Sequence, residues 1–179
     1  RFQLERVVDI KHIKEVTQLT FDTERGLTLG AAVPCYRIYE NADIRAAYPA
    51  LIDAVTSIGG IAIQSRATVG GNLCNAASCA NSAPPLMALG ATCLIVGPAG
   101  SRDVALESFF TGAGRTVLAP GELLISIQVP PPRPGLGAPR GPPRRGHREG
   151  APPGPARGHH AVRPGPAPLG AGSRLRPLV

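Results

Sequence analysis

The composition of the chain changes abruptly after Pro132, and this change limits which residues can fold together. The 47 residues from Arg133 to Val179 contain 11 Pro, 10 Gly and nine Arg, with no lysine and no aromatic residue. Such a segment has too little apolar surface to offset the conformational entropy lost on ordering it. We therefore predict a folded domain at residues 1–132 and a disordered tail at residues 133–179.

The positive charge of the chain belongs to this tail. The whole chain has a formal net charge of +7, but residues 1–132 contain 10 basic and 11 acidic residues and are nearly neutral. Three interpretations of the tail stay open: a basic arm that binds nucleic acid, a proline-rich linker or docking segment, and an out-of-frame translation. The last is favoured, because Arg, Pro, Gly and Ala all have GC-rich codons. The tail also lacks aromatic side chains that would stack on bases, so we do not expect a nucleic-acid partner.

The cysteines and histidines do not form a metal-binding pattern. There is no Cys-x-x-Cys pair among Cys35, Cys74, Cys79 and Cys93, and most of the four histidines lie in the tail. We therefore expect no metal site, and we expect half-buried free thiols of the kind found in reducing compartments. We recognise no signal peptide and no apolar run as long as a membrane span, which predicts a cytoplasmic protein without a membrane partner.

Short strands and short helices follow one another along residues 1–132. Apolar alternation between turn residues predicts strands at 7–10, 16–20, 27–29, 92–96, 102–106 and 122–129, with a hairpin link at 22–26. Apolar residues at three- and four-residue spacing predict a helix at 48–57, ended by Gly59-Gly60. Prolines that suit a first helical turn predict shorter helices at 35–39 and 84–89. This succession indicates an α+β fold with a mixed or antiparallel sheet and short helices.

The segment Arg66–Asn72, with the sequence Arg-Ala-Thr-Val-Gly-Gly-Asn, is the candidate ligand-binding segment. We predict a polar loop in which Gly70 and Gly71 let the backbone approach a ligand closely. Successive N–H groups in such a turn suit phosphate oxygens, and Thr68 and Asn72 add a hydroxyl and an amide. The loop is thus a candidate diphosphate site. A plain tight turn is the alternative, because glycine most often marks turns.

Several further blocks occur in a fixed order around this segment: Ile58-Gly59, Gln64–Leu73, Asn75-Ala76, Asn81–Leu86, Phe109–Gly112 and Leu118–Leu124. With these blocks, residues 1–132 resemble the FAD-binding subunit or domain of the molybdenum hydroxylase family, which includes xanthine dehydrogenase and aerobic carbon monoxide dehydrogenase. The order and spacing of the blocks make the resemblance specific, whereas Gly-Gly-Asn by itself is a weak signal. The fold that the resemblance implies is the central subdomain of that FAD-binding domain.

The resemblance implies FAD as the cofactor and names its binding residues. The loop that holds the FAD diphosphate in the family corresponds to Thr68, Val69, Gly70, Gly71 and Asn72. Asn81 stands where the family usually has an aspartate, and it keeps an acceptor oxygen without the charge. The apolar positions near the flavin correspond to Ile58 and Leu124, and ordinary core packing is the alternative role for these two.

The resemblance also implies the role of the chain and its partners. In the family, a molybdopterin-containing large subunit oxidises the substrate, and a small subunit with two [2Fe–2S] clusters passes the electrons to FAD. This chain would then be an oxidoreductase flavoprotein subunit that relays electrons to an external acceptor, without a side-chain nucleophile or general base. The family's other FAD loop, in an N-terminal subdomain, and its C-terminal subdomain have no counterpart in this sequence. A nucleic-acid-binding protein that uses its basic tail, and an inactive fragment, are the alternative functions.

Overall fold

The computed structural model describes residues 6–132. These residues contain seven strands: β1 (Leu19–Asp22), β2 (Gly26–Gly30), β3 (Thr92–Gly97), β4 (Gly100–Ala105), β5 (Phe110–Gly112), β6 (Arg115–Thr116) and β7 (Leu123–Val129). They also contain a 3-10 helix at Leu106–Ser108 and seven α-helices: α1 (Lys14–Thr17), α2 (Cys35–Glu40), α3 (Ala42–Ala47), α4 (Pro49–Thr56), α5 (Ile61–Gln64), α6 (Val69–Asn75) and α7 (Ala83–Ala88). None of these helices has the length or the apolar character needed to cross a bilayer.

Five of the strands form one antiparallel sheet in the order β1-β2-β7-β3-β4. Strand β7 follows the other four in the chain but lies in the middle of the sheet. Its residue Ile127 pairs with Leu29 of β2 on one side and with Cys93 of β3 on the other. All three side chains are fully buried. Because alternate residues of a strand point to the same face, this pairing defines the buried face of the sheet.

The helices contribute the other side of the hydrophobic core. Ile38 of α2, Leu51 of α4, Leu73 of α6 and Leu86 of α7 are fully buried and belong to the same cluster of apolar side chains as the strand residues. The sheet therefore has its apolar face covered by short helices, and the α+β prediction with an antiparallel sheet is confirmed.

Most of the predicted elements are confirmed, with boundaries shifted by at most two residues. The predicted helices at 35–39, 48–57 and 84–89 are α2, α4 and α7, and the predicted strands at 27–29, 92–96, 102–106 and 122–129 are β2, β3, β4 and β7. The predicted hairpin link at 22–26 joins β1 to β2. Helix α3 is absent from the predicted elements. Asn41 is a sequence signal for it, since asparagine is a favoured N-cap and the Asn41 Oδ1 atom accepts from the Asp43 and Ile44 amides.

Of the two predicted strands nearest the N-terminus, the first is wrong and the second is confirmed only in its last two residues. Residues 7–10 have irregular backbone, and Val7 and Val8 are 80% and 71% exposed, without a neighbouring strand among residues 6–132. An apolar burst gives a strand only where another strand pairs with it. Residues 16–20 are divided between α1 and β1, which begins at Leu19. The predicted disorder of residues 133–179, and the three interpretations of that tail, lie outside the described residues.

Candidate cofactor site

The segment Arg66–Asn72, predicted as a polar loop, is a loop only as far as the N-cap Thr68. From Val69 onward it is the first turn of helix α6, and there the prediction of a loop is wrong. Thr68 is the N-cap, and its Oγ1 atom accepts from the Gly71 amide at 2.9 Å. The Asn72 amide donates to the Thr68 carbonyl at 3.0 Å. Glycine at two successive positions disfavours a helix, but the threonine cap and the packing of α6 stabilise the helical backbone here.

The two glycines of this turn have different surroundings. A Cβ atom at Gly70 would lie 2.4 Å from the Ala31 carbonyl oxygen and 2.6 Å from the Ala31 Cα and Cβ atoms. A Cβ atom at Gly71 would meet only the Thr68 Oγ1 atom, at 3.0 Å. Gly70 is therefore required for the close approach of α6 to the residues after β2, whereas Gly71 is exposed and leaves open space beside the turn.

This open space is a cleft of about 450 Å³, a volume within the range of small-molecule sites. Thr68, Gly70 and Gly71 line one part of the cleft. Leu124 of β7 and residues 8–11 line other parts. Among residues 6–132, the Gly70 amide has no hydrogen-bond acceptor. The residues of the first turn of α6 that line the cleft thus include a backbone amide without an acceptor in the described part of the chain and a hydroxyl-bearing side chain, and Gly71 leaves room for a bound group.

The structure brings half of the predicted cofactor residues to this cleft. Thr68, Gly70, Gly71 and Leu124 line it, and Leu124 is also part of the core, with 4% of its surface exposed. Four others do not line it: Ile58, Val69, Asn72 and Asn81. No ligand tests either group, so the assignment of all eight residues to the cofactor stays a prediction.

The four residues away from the cleft have contacts within the protein. Ile58 packs partly buried against the core, which is the alternative role given to it above, and Val69 is almost fully buried. The Asn81 Nδ2 atom donates to the Ser57 Oγ atom at 3.1 Å. Asn81 therefore links the start of the α7 region to the end of α4.

Asn72 connects helix α6 to helix α7. Its Oδ1 atom accepts from the Ser82 Oγ atom at 2.6 Å, and Ser82 is fully buried at the N-terminus of α7. A buried hydroxyl needs such a partner, because leaving it unpaired costs about 1–3 kcal/mol. The Asn72 side chain therefore has a structural role that the sequence pattern did not indicate.

Charged side chains lie around the cleft, and no sequence pattern indicates that they are close together. Asp9, Lys11, Arg66 and Glu122 all contribute to its lining. The Lys11 Nζ atom donates to the Arg66 carbonyl at 2.8 Å, across 55 positions of sequence. The Lys11 amide N–H donates to the Asp9 Oδ1 atom and is the main cause of the lowered pKa of that carboxyl.

Glu122 is paired with a residue outside the cleft. Its two carboxylate oxygens accept from the Arg102 Nε and Nη2 atoms at 2.9 and 2.8 Å, and one also accepts from the Ala119 amide. The Arg102 hydrogen bonds, followed by that of the Ala119 amide, lower the pKa of Glu122 from 4.5 to about 2. This two-point pairing fixes the residue that precedes Leu123 and Leu124 in the chain.

A second cleft of about 370 Å³ lies beside α7 and β5. Its lining contains Met87, Phe110 and several alanines, and it contains no charged side chain. A phosphate-bearing ligand would find no electrostatic complement there, which favours the first cleft for such a ligand.

The four cysteines are free thiols. Cys35 and Cys93 are fully buried rather than half-buried, and burial raises the pKa of Cys35 to about 11 and that of Cys93 to about 12. Cys74 and Cys79 are exposed, and Cys74 lies at the first cleft. Within residues 6–132, no three His, Cys, Asp or Glu side chains lie close enough together to hold a metal ion.

Comparison with known proteins identifies the family of this fold and cleft. The family described as the FAD binding domain in molybdopterin dehydrogenase matches residues 1–132. The chain belongs to this family, and the resemblance inferred from the sequence blocks is confirmed. FAD is the cofactor that the family implies.

Curated relatives and solved structures agree with this membership. The xanthine dehydrogenase FAD-binding subunit of Escherichia coli O157:H7 is 35% identical over 125 residues, which are 70% of this chain and 43% of that protein. The carbon monoxide dehydrogenase medium chain of Afipia carboxidovorans is 31% identical over 134 residues, 74% of this chain and 46% of that protein. The crystal structure of quinoline 2-oxidoreductase from Pseudomonas putida 86 superposes with a TM-score of 0.65 at 28% identity, covering 69% of this chain and 43% of that one.

The chain spans less than half the length of these curated relatives. By their names, the relatives are subunits of oxidoreductases, which agrees with the predicted class of enzyme. The match ends at residue 132, where the composition changes.

Proposed function

We propose that this chain is the FAD-binding part of an electron-transfer subunit in a molybdenum hydroxylase. The observation that carries the proposal is the cleft at the first turn of α6, where Thr68, Gly70 and Gly71 meet. Gly71 leaves space that a Cβ atom would fill, and the Gly70 amide is without an acceptor among the described residues. These features fit a phosphate group, whose oxygens accept from backbone N–H donors.

Each cleft residue has a defined part in this proposal. The Gly70 amide and the Thr68 hydroxyl would bind the diphosphate, and Gly71 would allow its close approach. Leu124 would supply an apolar wall for the flavin end of the cofactor. The predicted contacts of Ile58, Val69, Asn72 and Asn81 would require either backbone groups or a cofactor that extends beyond this cleft.

When bound, FAD would supply the redox chemistry, while the protein supplies binding, orientation and the exclusion of water. We propose that the complete subunit relays electrons from [2Fe–2S] clusters on a small partner subunit to an external acceptor. A molybdopterin-containing large subunit would be the second partner. The relatives named above support this assignment, because they are FAD-binding or medium subunits of dehydrogenases. A cytoplasmic location and a folded domain that ends at residue 132 are the corresponding proposals for the whole chain.

The proposal is tested by titrating FAD into the full chain and following the quenching of flavin fluorescence. We expect saturable binding in the wild-type chain. Gly71→Ala should weaken it about tenfold, since a methyl group that obstructs the ligand costs on the order of 1.4 kcal/mol.

Gly60→Ala is the matched control, because a Cβ atom at Gly60 meets nothing within 4 Å and Gly60 does not line the cleft. It should bind FAD like the wild-type chain. Absence of saturable binding in the wild-type chain would contradict the proposed function. Equal affinities of the two glycine variants would contradict the position of the site.

A further inference from the structure

We propose that Lys11 is an additional binding residue of this site, and that its ammonium group contacts the diphosphate. The inference rests on the proposed function, because the diphosphate belongs to FAD. Lys11 belongs to none of the sequence blocks that carry the family resemblance. Only the folded structure brings it to α6.

The position of the Lys11 side chain is fixed by a hydrogen bond. Its Nζ atom donates to the Arg66 carbonyl at 2.8 Å, two residues before the N-cap Thr68. Lys11 lines the same cleft as Gly70 and Gly71. An ammonium group has three donors, and this contact occupies one of them. Two donors are left for a ligand, on a side chain already held at the segment that leads into α6.

Among the charged side chains of residues 6–132 that line the cleft, Lys11 is the cation that is not paired with a carboxylate, so it can pair with a bound anion. Glu122 is neutralised by Arg102, which lies outside the lining. Asp9 lies 3.9 Å from the Arg66 guanidinium, and the two form an exposed ion pair. Within residues 6–132, the Lys11 ammonium has no carboxylate at ion-pair distance. A cation beside a free backbone amide favours a ligand with negative charge, because opposite charges attract and the hydrogen bonds to a charged group are stronger.

A purely structural role for Lys11 predicts a different outcome from a binding role. If the side chain only tethers residues 8–11 to Arg66, a neutral donor would serve equally well. Lys11→Gln keeps an N–H donor and removes the charge, so it separates the two roles. Lys14→Gln is the matched control, since Lys14 is an exposed lysine of α1 that does not line the cleft.

The experiment titrates full-length wild-type, Lys11→Gln and Lys14→Gln chains with FAD, and in parallel with inorganic pyrophosphate. For both ligands we expect Lys11→Gln to bind about tenfold more weakly, the order of effect of one charge-assisted hydrogen bond. We expect Lys14→Gln to match the wild-type chain. The affinity of Lys11→Gln should also depend less on salt, because one ionic contact is lost.

The outcomes separate this inference from the proposed function. If the wild-type chain binds FAD and Lys11→Gln binds both ligands equally well, the role of Lys11 is overturned and the proposed function stands. If the wild-type chain does not bind FAD but binds pyrophosphate through Lys11, the anion site stands and the flavin assignment is overturned. If the wild-type chain binds neither ligand, both are overturned.

Discussion

Gly70 and Gly71 look equivalent in the sequence, but the structure predicts that alanine at Gly70 lowers stability, whereas alanine at Gly71 lowers FAD affinity. In Gly70→Ala the new methyl group would lie 2.4–2.6 Å from backbone and side-chain atoms of Ala31, a residue that is 7% exposed. Overpacking of this kind costs about 1–3 kcal/mol, and the better helix propensity of alanine returns about 0.5–1 kcal/mol. Because the nearest contact, at 2.4 Å, is with a backbone atom, the cost lies at the upper end of its range, and we expect a net loss of about 2 kcal/mol in the free energy of unfolding.

In Gly71→Ala the methyl group meets only the Thr68 Oγ1 atom, at 3.0 Å. The free-energy cost of moving that hydroxyl slightly is offset by the better helix propensity of alanine. We therefore expect the free energy of unfolding to stay within about 1 kcal/mol of wild type. The FAD affinity should nevertheless fall, because this glycine faces the cleft. The two variants therefore separate the requirement for folding from the requirement for binding.

Urea denaturation of the full chains, followed by far-UV circular dichroism, measures these differences in the free energy of unfolding. The wild-type chain and Gly60→Ala serve as references, since Gly60 has open space around it. A Gly70→Ala chain as stable as wild type would refute the close packing of α6 on Ala31. A Gly71→Ala chain that is the less stable of the two would refute the assignment of the open side to this glycine.

Two further substitutions test polar contacts of the fold, one at the cleft and one away from it. Arg102 lowers the pKa of the Glu122 carboxyl from its ordinary value of 4.5 to about 2. The ionised carboxylate therefore stabilises the fold at pH values above about 4.5, and this contribution is lost as the pH falls from about 4.5 towards 2. Glu122→Gln should therefore be less stable than wild type at pH 7, and it should lose less stability between pH 4.5 and pH 2. Melting temperatures of the two chains that change in parallel with pH would contradict this. Gln64→Leu removes the buried amide that accepts from the Tyr39 hydroxyl and donates to the Thr56 carbonyl. It should lower the free energy of unfolding by about 1–3 kcal/mol in urea, and an unchanged midpoint would show that these polar groups find other partners.

The sequence predicted the elements whose pattern is local. Strand β7 was predicted from the alternation at 122–129, and α4 from apolar residues that repeat on one helical face. The same patterns contain no information on the order of the strands in the sheet. That β7 lies between β2 and β3 depends on pairings such as Ile127 with Leu29, which are about a hundred residues apart. Register of this kind is set by packing of the whole buried face.

The candidate site shows the same division between local and long-range information. The sequence blocks identified the family, and they predicted Thr68–Asn72 as binding residues through a match of residue types and spacing. They did not indicate that this segment begins a helix, because two glycines lower the local propensity for one. They also gave no sign of Lys11, whose contact with Arg66 spans 55 positions and exists only in the folded chain.

The central claim is that the first turn of α6 binds the diphosphate of FAD, and backbone amide NMR of the full chain during an FAD titration tests it most directly. We expect the largest shifts in the ¹H–¹⁵N spectrum at Gly70 and Gly71, with smaller shifts at Lys11 and Leu124. Saturable FAD binding with the large shifts confined to other residues, for example those around Met87 and Phe110 in the second cleft, would contradict it.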